Sequence, residues 1–167
     1  NWNKTVAFWV GESGFPNWKP HPQFQWIPEG DTTRYLGYHI GIKIAPKLKL
    51  LPLLQSIQKK LVYWSSKKLL LAGRIVVANQ VLLSTMWYTT SCWIFVKSSI
   101  FQIQRLIRHF ILSWREGGRV RAQVAWTTLI LPKSKGGLGL IDPEDQSKAL
   151  LAKLIVRGKL PGTEPWK

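Results

Sequence analysis

The sequence predicts a mainly α protein with a small β element at its N-terminus, and three observations predict it. From Pro46 onward apolar residues recur at spacings of three and four, the period of a helix that buries one face. Before that point Gly11, Gly14, Pro16, Pro20, Pro22 and Pro28 cut the chain into pieces that suit only short strands and turns. The 167 residues, 46% of them apolar, suffice for one domain, or a small domain with an appendage, around a hydrophobic core. The expected layout is a β element over residues 1–45, a three-helix bundle over 46–116, and an arm, a Gly-rich loop and a last helix over 117–167.

In the first segment Val6, Phe8 and Val10 alternate with Ala7 and Trp9, which predicts a short, largely buried strand. Trp18, Phe24 and Trp26 lie among the prolines that follow. A strand pair is expected over residues 33–39 and 40–44, with Gly37 and Gly41 as bend points. In the first helix Leu50, Leu54, Ile57, Leu61 and Trp64 share one face, and Lys59, Lys60 and Lys67 fall elsewhere. Pro52 suits its first turn, where a missing N–H costs nothing. Ser65 or Ser66 is the expected cap of a second helix over about residues 67–88, apolar almost all round and therefore central.

Ser98 or Ser99 is the expected cap of a third helix. Its core face is Ile100, Ile103, Ile107, Phe110, Ile111 and Trp114, and Arg105 and Arg108 are neighbours on its exposed side. Glu116, Gly117 and Gly118 end it. Residues 120–131 alternate weakly and predict a strand or extended arm carrying Trp126. Residues 132–139 form a loop, basic through Lys133 and Lys135 and flexible through Gly136 and Gly137. Asp142, as N-cap, and Pro143, in the first turn, start the last helix, which Ala149, Leu150, Ala152 and Leu154 continue and Pro161, Gly162 and Pro165 end.

Charge narrows the function more than any motif. Lys and Arg number 24 against 8 Asp and Glu, a formal net charge of +16. Residues 1–45 hold four basic and three acidic side chains, whereas residues 46–135 hold fifteen basic and one acidic, Glu116. A block that lopsided is attracted to polyanions and reads as a footprint for nucleic acid or an anionic membrane; a basic but merely solvated surface is the plainer alternative. Lys59, Lys60, Lys67 and Lys68 flank the junction of the first two helices, and Arg105, Arg108, Arg115, Arg119 and Arg121 follow the third helix and its exit. Such cations neutralise phosphates and release counterions, a sequence-independent and salt-sensitive mode of binding. Lys133 and Lys135 add to this set. The expectation is that these cations line up on a single side of the bundle. Most of the ten Trp are expected in the core.

Other chemistry is excluded by what the chain holds. Cys92 is the one cysteine, so neither an intramolecular disulfide nor a Cys-based zinc site can be built. Its neighbours Thr90, Trp93 and Phe95 predict a buried, inert thiol, in keeping with a reducing intracellular compartment, nucleus or cytoplasm. The N-terminal residues lack the pattern of a signal peptide, and a start at Asn1 without Met suggests a piece of something longer. The most apolar stretch, residues 69–86, contains Arg74, Asn79 and Gln80 and so reads as a buried helix and not a membrane span. Asp142, Glu144 and Asp145 cluster at a helix start, where N–H groups and the dipole favour negative charge, so capping is favoured over a metal site. No carboxylates are placed for two-metal phosphoryl chemistry, and the chain alone is predicted neither to polymerise nor to cut nucleic acid. His21, His39 and His109 lack metal-ligand spacing, and residues 136–139 lack the Lys-Ser/Thr pair of a phosphate loop, so they read as a tight turn. No metal or cofactor is expected in the chain.

Several segments, taken in order, are similar to one known family. They are Asn1-Trp2-Asn3-Lys4-Thr5; Arg34-Tyr35-Leu36-Gly37 with Ile40-Gly41; Trp64 followed by Leu69-Leu70-Leu71-Ala72-Gly73-Arg74-Ile75; Asn79 with Val81-Leu82-Leu83-Ser84; Ala125-Trp126; Leu131-Pro132-Lys133; Lys135-Gly136-Gly137-Leu138-Gly139; and Ala149-Leu150-Leu151-Ala152-Lys153-Leu154. In this order the chain resembles the end of the palm, the thumb and the segment beyond it in reverse transcriptases of non-LTR (LINE-type) retrotransposons, plant ones in particular. Each motif is short, and their shared order carries the resemblance over nearly the whole chain. The family's paired-aspartate turn and its fingers have no counterpart here, and Leu70 stands where the family usually has Ser.

The resemblance implies the substrate-handling half of an RNA-directed DNA polymerase without its metal site; magnesium would be implied for the intact parent enzyme. Lys4 would match the family's general acid for pyrophosphate, with nothing here to act on. Tyr35, Leu36 and Gly37 would steady the primer strand. The helical block, Arg74 included, would lie along an RNA/DNA hybrid or duplex, and the absent fingers and palm are the implied protein partner. Two other classes stay open at this point: a protein-interaction or non-functional remnant of a retroelement pseudogene, and a weaker alternative of binding to anionic membrane.

Overall fold

Short strands separated by breakers give way at Pro46 to long helical periods, and the fold follows that change. A computed structural model describes residues 5–10, 24–113 and 124–160. Among the described residues the fold is mainly α with four short strands near the N-terminus. The chain divides into two compact units, one ending at Leu51 and the other beginning at Pro52.

In the first unit, β1 (Val6–Ala7) pairs in parallel with β2 (Gln25–Trp26), Val6 opposite Gln25 and Ala7 opposite Trp26. The strand expected from the alternation is shorter and less covered than its pattern implies: Val6 and Ala7 are half-buried and Val10 is 72% exposed. A two-residue ladder is too short to cover its flanks. β3 (Thr33–Tyr35) pairs antiparallel with β4 (Tyr38–Ile40). The connecting residues Leu36 and Gly37 have φ of 47° and 84°. Two consecutive positive φ values make the type I′ turn whose twist matches a tight hairpin. The pairing therefore closes at Gly37, inside the first of the two strands expected over 33–44. Gly41 lies just past β4, where an added Cβ would meet the Asp31 carbonyl oxygen at 2.2 Å.

Helix α1 (Pro46–Ser65) buries Leu50, Leu53 and Ile57, while Leu54, Leu61 and Trp64 are half-buried. Pro46, not Pro52, takes the first helical position. Pro52 lies inside the helix, and its lack of an N–H removes the usual i+4 donor for the Leu48 carbonyl. The chain passes from the first unit to the second at this residue.

In the second unit, the serines expected to open the next helix instead close α1: Ser66 Oγ donates to the Tyr63 carbonyl at 2.8 Å. α2 (Leu71–Val77) starts after extended Leu70, and runs through a π-helical segment (Ala78–Leu83) into α3 (Ser84–Cys92). Ile75, Val77, Ala78, Leu82, Leu83, Met86 and Thr90 are buried, but Val76, Gln80, Ser84 and Tyr88 form an exposed stripe, so this helix is central without being enclosed. Cys92 is exposed, which corrects the buried thiol expected from its neighbours. Two helical steps turn the chain by about 200°, so burying Thr90 sends Cys92 to the other side.

α4 (Lys97–Leu112) buries the expected Ile100, Ile103, Ile107, Phe110 and Ile111. It begins after extended Val96 without a side-chain cap, and Ser99 is buried within it. Trp114 and the Glu116-Gly117-Gly118 stop lie outside the described residues. The strand or arm expected over 120–131 is a short helix, α5 (Trp126–Ile130), because one helical turn lets Leu129 reach full burial. A 3-10 turn (Lys133–Lys135) ends in Gly136 at φ 80°. α6 (Pro143–Lys159) packs against both α3 and α4. The last helix thus joins the core formed by α2, α3 and α4.

Candidate functional site

Three polar residues lock the scaffold that carries the cations. Asp142 caps α6, accepting from the Glu144 N–H at 2.8 Å on Oδ1. Its Oδ2 accepts from Trp126 Nε1 at 3.1 Å, and its Oδ1 also lies 3.4 Å from Gln104 Nε2. One carboxylate therefore ties α4, α5 and α6 together. Within the acidic cluster Asp142 is the capping residue, as its place before Pro143 predicts. Asn79, in the π-helical segment, donates from Nδ2 to the Gly139 carbonyl and accepts the Ile141 N–H on Oδ1, both at 3.0 Å. Its amide stands in for a strand edge and fixes the Gly-rich loop. That loop is tight: a Cβ on Gly137 would lie 2.1 Å from the Leu131 oxygen.

The third lock is Arg74, which the sequence places in the nucleic-acid-binding set. Its Nε donates to the Leu69 carbonyl at 3.1 Å. Its Nη1 donates to the Phe110 carbonyl at 3.0 Å and to the Ser113 carbonyl. Helix C-termini leave carbonyls without intrahelical donors and carry partial negative charge. Arg74 answers both needs at the end of α4, so its cation is committed within the fold.

The remaining predicted cations separate by exposure. Lys59, Lys67, Lys68, Arg105, Lys133 and Lys135 are exposed, and Arg108 is half-buried on α4. Lys60 is half-buried and donates to Thr85 Oγ1 at 2.7 Å, which ties α1 to α3. Lys4, Arg115, Arg119 and Arg121 lie outside the described residues. Tyr35, Leu36 and Gly37 are exposed at the tip of the β3–β4 hairpin. Among the described residues no three His, Cys, Asp or Glu are grouped to hold a metal ion, and no helix is long and apolar enough to cross a membrane.

Two features escaped the sequence reasoning. Tyr63 is 58% exposed near the end of α1. Trp64 meets it edge-on, centroids 5.4 Å apart at 88°, and Lys67 Nζ stands 4.9 Å from the Tyr63 centroid. Its spacing of four from both Lys59 and Lys67 was the available signal. The second feature is charge compensation at the start of α6. Lys148 Nζ lies 2.8 Å from Glu144 Oε1. That hydrogen bond and charge, with a smaller contribution from Lys97, hold the Glu144 carboxyl below its usual range, and the same pair raises Lys148. Elsewhere burial alone pushes the Lys49 ammonium down.

No protein-family model matches the chain, and no solved structure does. Its sequence is similar to an Arabidopsis thaliana protein named "Putative ribonuclease H protein At1g65750", with 26% identity over 102 residues. That match covers 61% of this chain and 16% of the Arabidopsis protein.

Proposed function

We propose that the chain is the substrate-handling part of a retroelement reverse transcriptase, and that its helical unit holds template–primer nucleic acid through the phosphates, without reading sequence. One observation carries this: Lys59, Lys67, Lys68 and Arg105 reach solvent from a helical scaffold in a stretch with no carboxylate between Asp31 and Glu116, and Lys133 and Lys135 reach solvent beyond it. Cations so placed attract a phosphate ladder and release its counterions. The ordered resemblance supports the retroelement assignment. The Arabidopsis relative's name, a ribonuclease H protein, supports a nucleic-acid context at a coarser level.

Affinity for a hybrid duplex, measured by anisotropy across salt, tests the reading. The expected slope of log affinity against log salt is about −0.9 per phosphate contact, and a flat response between low and physiological salt refutes it. Replacing Arg105 and Arg108 with Gln weakens all sequences about equally; a loss confined to one sequence would mean base readout instead.

A second reading has its own observation. Leu70 is 83% exposed and Ile94 74%, and Phe101 and Ile155 are exposed as well. Apolar surface of this kind suits a protein-interaction fragment of a longer protein. A soluble chain with a cooperative melt favours the nucleic-acid reading, whereas aggregation that a partner relieves favours this one.

A further inference from the structure

We propose that Tyr63 is a stacking platform for an unpaired base, flanked by Lys59 and Lys67 as phosphate ligands. This rests on the phosphate-binding reading above and adds a ligand class to it: a single strand, or the overhang beside a duplex.

A nucleobase needs an exposed aromatic face, a ring that is held, and a cation for each neighbouring phosphate. Tyr63 meets the first need, since more than half of the residue is open to solvent near the end of α1. Trp64 meets the second: it is half-buried and packs edge-to-face with Tyr63 at 5.4 Å. A ring anchored by a half-buried neighbour loses less freedom on binding than a free one. Lys59 and Lys67 meet the third. Lys59 lies four residues before Tyr63 within α1, about 6 Å along the axis, and Lys67 lies just past the end of α1 with its ammonium against the ring. Both lysines are exposed.

Lys67 already rests on the Tyr63 ring, 4.9 Å from its centroid. An aromatic face offers an ammonium only a quadrupole, whereas a phosphate offers a full negative charge. The ammonium therefore moves to an arriving phosphate and leaves the ring to the base. Lys60, one residue from Lys59, is held inward by Thr85 and does not compete for the strand. No acidic residue occurs anywhere in α1. A blunt duplex offers phosphates but no unstacked base, so it engages the lysines and leaves the tyrosine idle.

The test compares three probes at one salt concentration: a single-stranded oligonucleotide, a hybrid with a single-stranded overhang, and a blunt hybrid. Tyr63→Leu keeps the surface apolar and removes the π face. It is expected to weaken the single-stranded and overhang probes roughly 5- to 150-fold while leaving the blunt hybrid nearly unchanged. Tyr63→Phe keeps wild-type affinity for all three. Irradiation of a bromouracil-substituted single strand bound to the wild-type chain places the crosslink on Tyr63, a readout that needs no variant. Equal single-strand affinity in wild type and Tyr63→Leu, or a crosslink elsewhere, overturns the platform. Salt-sensitive binding of the blunt hybrid would then leave the phosphate-binding reading standing. Absence of binding to every probe in dilute buffer overturns both.

Discussion

Replacing Arg74 by Met should cost the helical unit more than any other cation replacement, because its charge serves the fold. Two of its bonds cross from α2 to the end of α4, reaching the carbonyls of Phe110 and Ser113. Both of those residues are buried. Counting the bonds of ordinary length, to the Leu69 and Phe110 carbonyls, at about 1.5–3 kcal/mol each for a hydrogen bond with one charged partner gives about 3–6 kcal/mol for the two. Arg74 is itself half-buried, so water replaces part of what is lost and about 2–4 kcal/mol is expected. At about 3–6 °C per kcal/mol for a unit of this size, the melting temperature falls by roughly 6–24 °C. Thermal unfolding followed by circular dichroism measures it. Arg74→Lys keeps the charge but not the planar fork, and should recover at most half of the loss. Below its melt, Arg74→Met should bind nucleic acid with the wild-type salt slope. A loss under about 0.5 kcal/mol, or a slope reduced by one contact, would refute the assignment of Arg74 to the fold.

Other perturbations have equally defined outcomes. Gly137→Ala pushes a methyl to 2.1 Å from the Leu131 oxygen, and overpacking against backbone should cost about 1–3 kcal/mol in urea unfolding. Asn79→Ala removes both bonds to Gly139 and Ile141 and should cost about 1–3 kcal/mol, with faster amide exchange at Ile141 as its local mark. Lys49→Met should lose stability relative to wild type as pH rises from 7 to 10.5. The folded chain holds the Lys49 proton less tightly than the unfolded one, so the wild-type penalty is complete below the lowered folded pKa and vanishes as pH rises to the ordinary 10.5. Unfolding at pH 7 and pH 10.5 should show the stability of Lys49→Met falling relative to wild type with pH; a relative rise would reverse the sign.

Much of this architecture was legible in the sequence, and what was not shares a cause. The face of α4 read correctly from Ile100 to Ile111 because the helical period is a local property. Asp142 read correctly as a cap because the Asp-Pro-Glu order satisfies a helix start within three residues. The serine caps read wrongly because Ser65 and Ser66 stand where one helix ends as plausibly as where another begins. The short helix at Trp126 was missed for want of a full period in five residues. The burial of Thr90 does not extend to Cys92, because positions two apart on a helix face nearly opposite ways.

The order of strands and helices, the apolar stripes and the unbalanced positive charge belong to the sequence itself, since each depends on residues within a turn or two of one another. Tertiary structure alone decided which polar side chains are tied within the fold. Arg74 reaches carbonyls 36 and 39 residues away, Lys60 a hydroxyl 25 away and Asn79 a loop 60 away. A charge in a sequence has no direction until packing sets a carbonyl, a hydroxyl or open solvent in front of it.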